Sequence, residues 1–466
     1  MMSNYLKNFL KLFPILIFTL LFTYCRPDDK PVTPVYKKPY ELSNEVALEW
    51  NKFYLSIERF TPGYNNPCIS GRTMAYVNLG AYESIVLGMS DKYNSIATIN
   101  YGLSMPKINS NDNYAWAIVM NNAFKYGFRN FFPDAPSSQQ LGIERTFNSL
   151  MDKYEQDFDA ATIERSLALG REVAEIIYTW SRTDKPGDAA YNKVKDPSYV
   201  PPVGEDKWQP TSPDYQAAVL SYWGDVRPFA ASESDLSIYP PVPFSTDPNS
   251  EFYKQAKECR DLCEAARNNN ESEDFWIAQF WSDDCPTLTF SPAGRWLAIA
   301  NEILTAENFN LAESQVMFTK VAMSQCDAGI GAWKNKYIYN LLRPVDYISK
   351  YMNEPGWKTI MCPDGTGNFF TPPFPTYPSG HGTFASSAAV VLSSILGNNY
   401  QLTDKCHEGR TEFKGTPRTF QSFTQMAEEN AYSRLPLGVH YRMDAIAALD
   451  LGTKIGTRVA QMQFKK

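Results

Sequence analysis

Along almost the whole chain, apolar residues recur every three to four positions. That is the period of one face of an α-helix, not the alternation of a half-buried strand. The pattern holds over residues 41–60, 72–89, 116–131, 160–181, 252–268, 296–306, 313–342, 382–396 and 439–462. Strand-like runs are few and short. Such stripes can be buried only by packing helix on helix, so the expected fold is all-α, built of two packed helical bundles. With 466 residues there is ample chain for a large core.

One stretch breaks the pattern. Between 184 and 247 prolines recur at 197, 201, 202, 210, 213, 228, 240, 241 and 243, which no helix tolerates. The same stretch carries Trp208, Tyr215, Tyr222 and Trp223, so an ordered loop excursion lying on the helices is expected rather than a disordered link. The organisation expected is a helical N-terminal half over 41–183, the Pro-rich excursion over 184–250, and a helical C-terminal half over 251–466.

The N-terminus reads differently again. Lys7 and Lys11 precede an uncharged apolar run over 12–24, too short for a membrane span, and Cys25 follows directly. This resembles a bacterial lipoprotein signal. It implies a signal peptide over 1–24, a Pro-rich tether over 25–40 with an acylated Cys25, and export to the cell envelope (periplasmic or outer-membrane lipoprotein) or secretion. Membrane attachment would come through that anchor alone. Loss of 1–24 removes two lysines and takes the net charge of −7 further negative. An acidic chain without a basic stripe is not built for nucleic acid. Of the seven remaining cysteines, Cys259 and Cys263 sit at helical spacing with no second pair nearby, so a zinc site is not expected. No disulfide pairing follows from the sequence.

The chemistry concentrates in three strings of this otherwise acidic, histidine-poor chain. In the first, Lys336 and Arg343 stand seven residues apart, two helical turns, with Pro344 expected to end the helix. An ammonium and a guanidinium aimed at one point suit a tetrahedral oxyanion, because the guanidinium fork grips two oxygens at once. In the second, Pro378-Ser379-Gly380-His381 places Ser379 at an N-cap and Gly380 where backbone N–H groups can approach an anion; His381 can exchange a proton beside it. In the third, Arg434 precedes a helix expected to begin near Val439. His440 would lie in its first turn, with Asp444 on the same face to hold one imidazole nitrogen. Each string alone also reads as solvated charges or a helix cap. Their joint occurrence points to an oxyanion site. Asp283 or Asp284 could pair with Arg434, and His407 lies outside every motif as a surface or packing residue.

These strings match, position for position, the signature shared by type 2 phosphatidic acid phosphatases, bacterial non-specific acid phosphatases and vanadium-dependent haloperoxidases. The resemblance spans 336–444. It implies that Lys336, Arg343, Ser379, Gly380 and Arg434 cradle the oxyanion, that His440 is the axial ligand of vanadium or the phosphatase nucleophile, and that His381 is the acid–base residue. Around the signature, Phe275-Trp276, Phe280-Trp281-Ser282-Asp283-Asp284 and Pro372-Pro373-Phe374-Pro375 resemble segments of bacterial haloperoxidases, which are paired four-helix bundles. The first expectation is therefore a vanadium-dependent haloperoxidase, with vanadate as cofactor and hydrogen peroxide and a halide (iodide or bromide) as substrates. Phe374 is the candidate wall on the halide side, or else a core aromatic. The alternative is an acid phosphatase hydrolysing a phosphate ester through a phosphohistidine. A glycan-binding helical lipoprotein is a third possibility, which leaves the signature unexplained.

Overall fold

The computed structural model describes residues 36–60, 66–109, 111–285, 289–363, 367 and 369–466. The expected signal peptide over 1–24 and Cys25 lie outside the described residues. Six helices precede the Pro-rich segment, α1 (Glu45–Phe60), α2 (Pro67–Val86), α3 (Ile96–Tyr101), α4 (Trp116–Phe131), α5 (Ser137–Tyr154) and α6 (Ala160–Ser181), and the short α7 (Lys185–Ala189) lies at its start. Eight follow it: α8 (Glu251–Asn268), α9 (Glu273–Phe280), α10 (Pro292–Ala306), α11 (Leu311–Tyr339), α12 (Pro344–Tyr351), α13 (Gly380–Leu396), α14 (Phe423–Tyr432) and α15 (Arg442–Ala460). A two-stranded antiparallel ribbon, Leu402–Asp404 with Arg418–Phe420, pairs Asp404 with Arg418. Among the described residues no helix is long and apolar enough to cross a membrane.

The all-α expectation holds, and two helices explain how. In α2 every residue from Cys68 to Val86 is buried, and α11 is buried over nearly all of its 29 residues. Helices enclosed on every side belong at the centre of a core. They pack on each other, and α11 also packs on α13 and α15. The α13–α15 contact is close because Gly452 and Gly456 have no side chain: a Cβ at either would come within 2.5 Å of the Thr383 or Ser387 carbonyl oxygen. That crossing sets the first turns of α13 and α15 beside one another. One continuous apolar core takes residues from both sides of the Pro-rich segment.

The Pro-rich segment is ordered against this core. Trp208 and Trp223 are fully buried. The Asp327 carboxylate of α11 accepts the backbone N–H groups of Phe229, Ala230 and Ala231, and Val219 N–H donates to the Pro373 carbonyl at 3.1 Å. Its backbone groups thus find partners on α11, on the lead-in to α13 and, between Val194 and Leu220, within the segment itself.

Of the helix boundaries that differ from the sequence reading, two bear on the site. Helix α11 ends at Tyr339, because Asn340 turns left-handed at φ 48° and its N–H closes on the Lys336 carbonyl. Pro344 then opens α12 rather than stopping α11; in the first turn its missing N–H is not needed. Helix α15 starts at Arg442, so His440 precedes it. Helices α3, α5, α7, α9, α12 and α14 went unread, α5 because its apolar stripe is diluted by Ser and Gln, the others because they run to ten residues or fewer.

Candidate active site

Three chain turns converge beneath a cavity of about 320 Å³ whose wall includes His381, His440, Arg434, Asp284, Trp333 and Phe374. Each functional side chain is aimed by local backbone logic. Ser379 caps α13, its Oγ accepting the Gly382 N–H at 3.4 Å, so His381 lies in the first turn. Arg343 is the N-cap of α12, held extended by Pro344. Its Nε donates to the Phe374 carbonyl and its Nη1 to the Val439 carbonyl, both at 2.9 Å, which ties the first string to the other two. Lys336 and Arg343 do share the site, though not as neighbours on one helix: α11 ends between them.

His440 reaches Asp444 by a different route from the one expected. Asp444 is the third residue of α15, and one carboxylate oxygen, Oδ2, accepts the Tyr441 N–H at 3.1 Å while lying 2.8 Å from His440 Nδ1. The pair forms around a capped helix start, not along a helix face. Thr376 joins it. Its hydroxyl donates to the same Asp444 Oδ2 at 2.5 Å and lies 3.0 Å from His440 Nδ1.

Lys336 is fully buried and donates to the carbonyls of Pro375, Thr376 and Pro378 at 3.0, 2.9 and 2.6 Å. Its charge fastens the lead-in of α13 from below. The Phe374 ring lines the cavity and carries both cations, with Lys336 Nζ 5.2 Å and the Arg343 guanidinium 5.0 Å from its centroid. Of the two candidate carboxylates, Asp284 takes Arg434, Oδ2 to Nη2 at 3.0 Å, and lies 3.7 Å from His381 Nε2. Asp283 turns away toward Arg295. The Trp281 carbonyl and Met361 Sδ complete the Arg434 contacts at 3.2 and 3.7 Å. A Cys285–Cys362 disulfide joins the residues next to Asp284 and Met361, and so staples the two segments that hold Arg434. Cys259 and Cys263 are buried free thiols.

The electrostatics are lopsided. Three cations share the cluster with Asp284 and Asp444, while Asp346 also lies in the field of Arg343 and Asp283 in that of Arg434. Burial, then the Arg343 charge, push Lys336 well below the ordinary lysine range. Burial takes Arg343 down to about 10 and also lowers Arg434. Both histidines are driven well below their usual value, by burial first and then by the three cations, so both are neutral. Three donors or ring nitrogens in this cluster are buried without a hydrogen-bond partner among the described residues: Arg343 Nη2, Arg434 Nε and His381 Nε2. A buried excess of positive charge with unpartnered N–H groups is a cradle for a multivalent oxyanion, and it fits vanadate or phosphate.

The sequence reading missed Thr376 and the far wall. Thr376 was legible only as a hydroxyl lodged between Pro375 and Tyr377 in a rigid apolar lead-in. The wall contributed by Val194, Lys195, Gln216 and Val219 comes from the Pro-rich segment and carries no motif.

Residues 316–465 match the family model for the VCPO second helical-bundle domain. The chain is 23% identical to the vanadium chloroperoxidase of Curvularia inaequalis over 90% of its own length and 82% of that protein. It is 29% identical to the vanadium-dependent bromoperoxidase of Ascophyllum nodosum, over 27% of this chain and 24% of that one. Among solved structures, the first bacterial vanadium-dependent iodoperoxidase superposes with a TM-score of 0.78 at 27% identity, over 92% of this chain and 99% of that one. An apo bacterial vanadium-dependent chloroperoxidase shares the fold at TM-score 0.65 and 15% identity, over 91% and 98%.

Proposed function

This chain belongs to the vanadium haloperoxidase family, and on that premise we propose that it uses hydrogen peroxide to oxidise a halide, iodide or bromide, at a vanadate held by His440. The observation that carries the proposal is the pair of buried, unpartnered donors on Arg343 and Arg434, with the unpartnered ring nitrogen of His381, around a neutral His440. Bound vanadate would supply a Lewis-acidic centre that activates peroxide toward a halide without metal redox.

The protein's own part follows from the geometry. Arg343 Nη2 and Arg434 Nε can donate to oxyanion oxygens, and the N-terminus of α13 adds the partial positive charge of its free N–H groups. Lys336 acts through its field, its N–H groups being engaged by carbonyls. His381, neutral and with Nε2 unpartnered, can accept a proton from peroxide; Asp284 at 3.7 Å then stabilises the imidazolium. Phe374, Trp333 and Phe384 exclude water from that side of the cavity. The phosphatase alternative is not favoured, since the relatives that span most of the chain are haloperoxidases. Export with an acyl anchor at Cys25 belongs to the same proposal and rests on the sequence of residues 1–25.

The test is to incubate purified protein with orthovanadate and assay iodide and bromide oxidation by peroxide beside hydrolysis of a phosphate ester. Halide oxidation should require vanadate and vanish in His440→Ala. Vanadate acting only as an inhibitor of ester hydrolysis would overturn the proposal.

A further inference from the structure

Within the site, one side chain has contacts that the oxyanion cradle does not account for. Thr376 is fully buried, and its two ends serve different arms of the site. Its carbonyl accepts from Lys336 Nζ and its N–H donates to the Leu341 carbonyl at 3.0 Å, which fixes the backbone. Its hydroxyl sits between Asp444 Oδ2, at 2.5 Å, and His440 Nδ1, at 3.0 Å.

We propose that Thr376 is a positioning residue that sets the tautomer and ring orientation of His440, keeping the proton on Nδ1 and the Nε2 lone pair toward the cavity. The proposal deepens the reading of His440 as the oxyanion ligand and rests on it.

The argument is a count of protons and lone pairs. A hydroxyl has a single proton, and the 2.5 Å contact commits it to the Asp444 carboxylate. The Thr376 oxygen then presents only lone pairs to His440. Nδ1 therefore faces two acceptors, Asp444 Oδ2 at 2.8 Å and Thr376 Oγ1 at 3.0 Å, and an unprotonated Nδ1 there would set lone pair against lone pair. Nδ1–H is the one state that satisfies all three groups. The hydroxyl also holds the carboxylate itself. Asp444 loads three groups onto Oδ2 (Thr376 Oγ1–H, Tyr441 N–H and the imidazole), while Oδ1 is buried with no partner. Without the hydroxyl, the carboxylate loses one of the three groups that hold it against the imidazole, and the imidazole loses its second acceptor. Partners of this kind, one bond removed from the ligand, are worth about 10–100-fold in affinity.

The substitutions that isolate the hydroxyl are Thr376→Val, which keeps the shape and both backbone contacts, and Thr376→Ser, which restores the hydroxyl. The chain contains only three histidines, so ¹⁵N-histidine NMR of the ligand-free protein can report the His440 tautomer directly, assigned with His440→Ala. Native protein and Thr376→Ser should show His440 protonated on Nδ1 and bind orthovanadate alike in equilibrium dialysis. Thr376→Val should gain a Nε2–H population and bind orthovanadate about 10–100-fold more weakly at an unchanged melting temperature. Thr376→Ala stands in if the valine variant does not fold. A native Nε2–H tautomer, native-like orthovanadate affinity in Thr376→Val, or failure of serine to restore it would each overturn the role. Failure of the haloperoxidase reading looks different: native protein would not bind orthovanadate, while the ligand-free tautomer would still be read.

Discussion

Among the described residues, two buried clusters combine histidine, arginine and aspartate, and one of them lines the cavity of the candidate site. The first is the oxyanion cradle of Lys336, Arg343, Arg434, His381 and His440 with Asp284 and Asp444. The second lies behind it, where Arg295 of α10 meets Asp404 at 2.8 Å and Asp283 at 3.7 Å and contacts His407. The two are joined along the chain, because Asp283 belongs to one and Asp284 to the other. Similar side chains, equally buried, do opposite things.

The difference is the sign of the imbalance. In the rear cluster carboxylates outnumber the guanidinium. Although burial opposes it, Asp404 raises Arg295, and the excess negative charge is removed by protons: burial takes Asp283 and Glu302 up to about 7. His407 is depressed to about 2 by burial and by Arg295, and as a neutral ring it sits edge-on to Phe280 and Phe413. In the cradle cations outnumber carboxylates. Arginine cannot shed its charge at working pH, so the imbalance persists until an anion arrives. A cluster that can be neutralised by protons becomes part of the fold, and one that cannot becomes a binding site.

Three substitutions would break or sharpen this contrast. The largest effect on stability is expected from Arg295→Met, which leaves Asp404 buried without its partner and should cost about 3–5 kcal/mol in denaturant unfolding. Orthovanadate affinity of the folded fraction should stay within about threefold, since the groups Arg295 pairs with, Asp404, Asp283 and His407, are not among those lining the cavity. A large affinity loss would show that the clusters are one unit. Arg343→Met should invert the pattern, weakening orthovanadate binding by about 100-fold or more. Its ligand-free stability should fall less than that of Arg295→Met, because removing one of three like charges relieves repulsion while two backbone carbonyls lose a donor. Equal destabilisation by the two would sink the charge-imbalance account.

The smallest effect tests the proton side. Asp283 has a folded value near 7 against an ordinary carboxylate near 4 when unfolded, so the folded state holds the extra proton between them. Its contribution is present at low pH and is lost as pH rises through about 7. Asp283→Asn should therefore raise the melting temperature by roughly 3 °C at pH 8 and leave it almost unchanged at pH 4. The same gain at both pH values would point to packing rather than protonation.

Several features were legible in the sequence because they are local. Helical periodicity needs only a window of a dozen residues, and the all-α class followed from it. The prolines marked the excursion, and the three strings marked Lys336, Arg343, Ser379, Gly380, His381, Arg434, His440 and Asp444. The structure brings these together around one cavity, although Lys336, Arg343, Ser379 and Asp444 lie behind its wall. Helix ends were less legible. The break at Asn340 and the late start at Arg442 depend on a left-handed residue and a capping carboxylate that periodicity does not register.

What the sequence alone determined was the class of fold and the identity of the chemical groups, since both are written in short runs of residues. Tertiary structure alone decided which aspartate meets Arg434, where Thr376 places its hydroxyl, which cysteines join, and that the Pro-rich segment walls the cavity. It also decided the sign of each buried cluster. Charge balance is a sum over side chains more than a hundred residues apart, such as Arg295 with Asp404 and Arg434 with Asp284, and it acquires force only once burial has removed the water that would screen it.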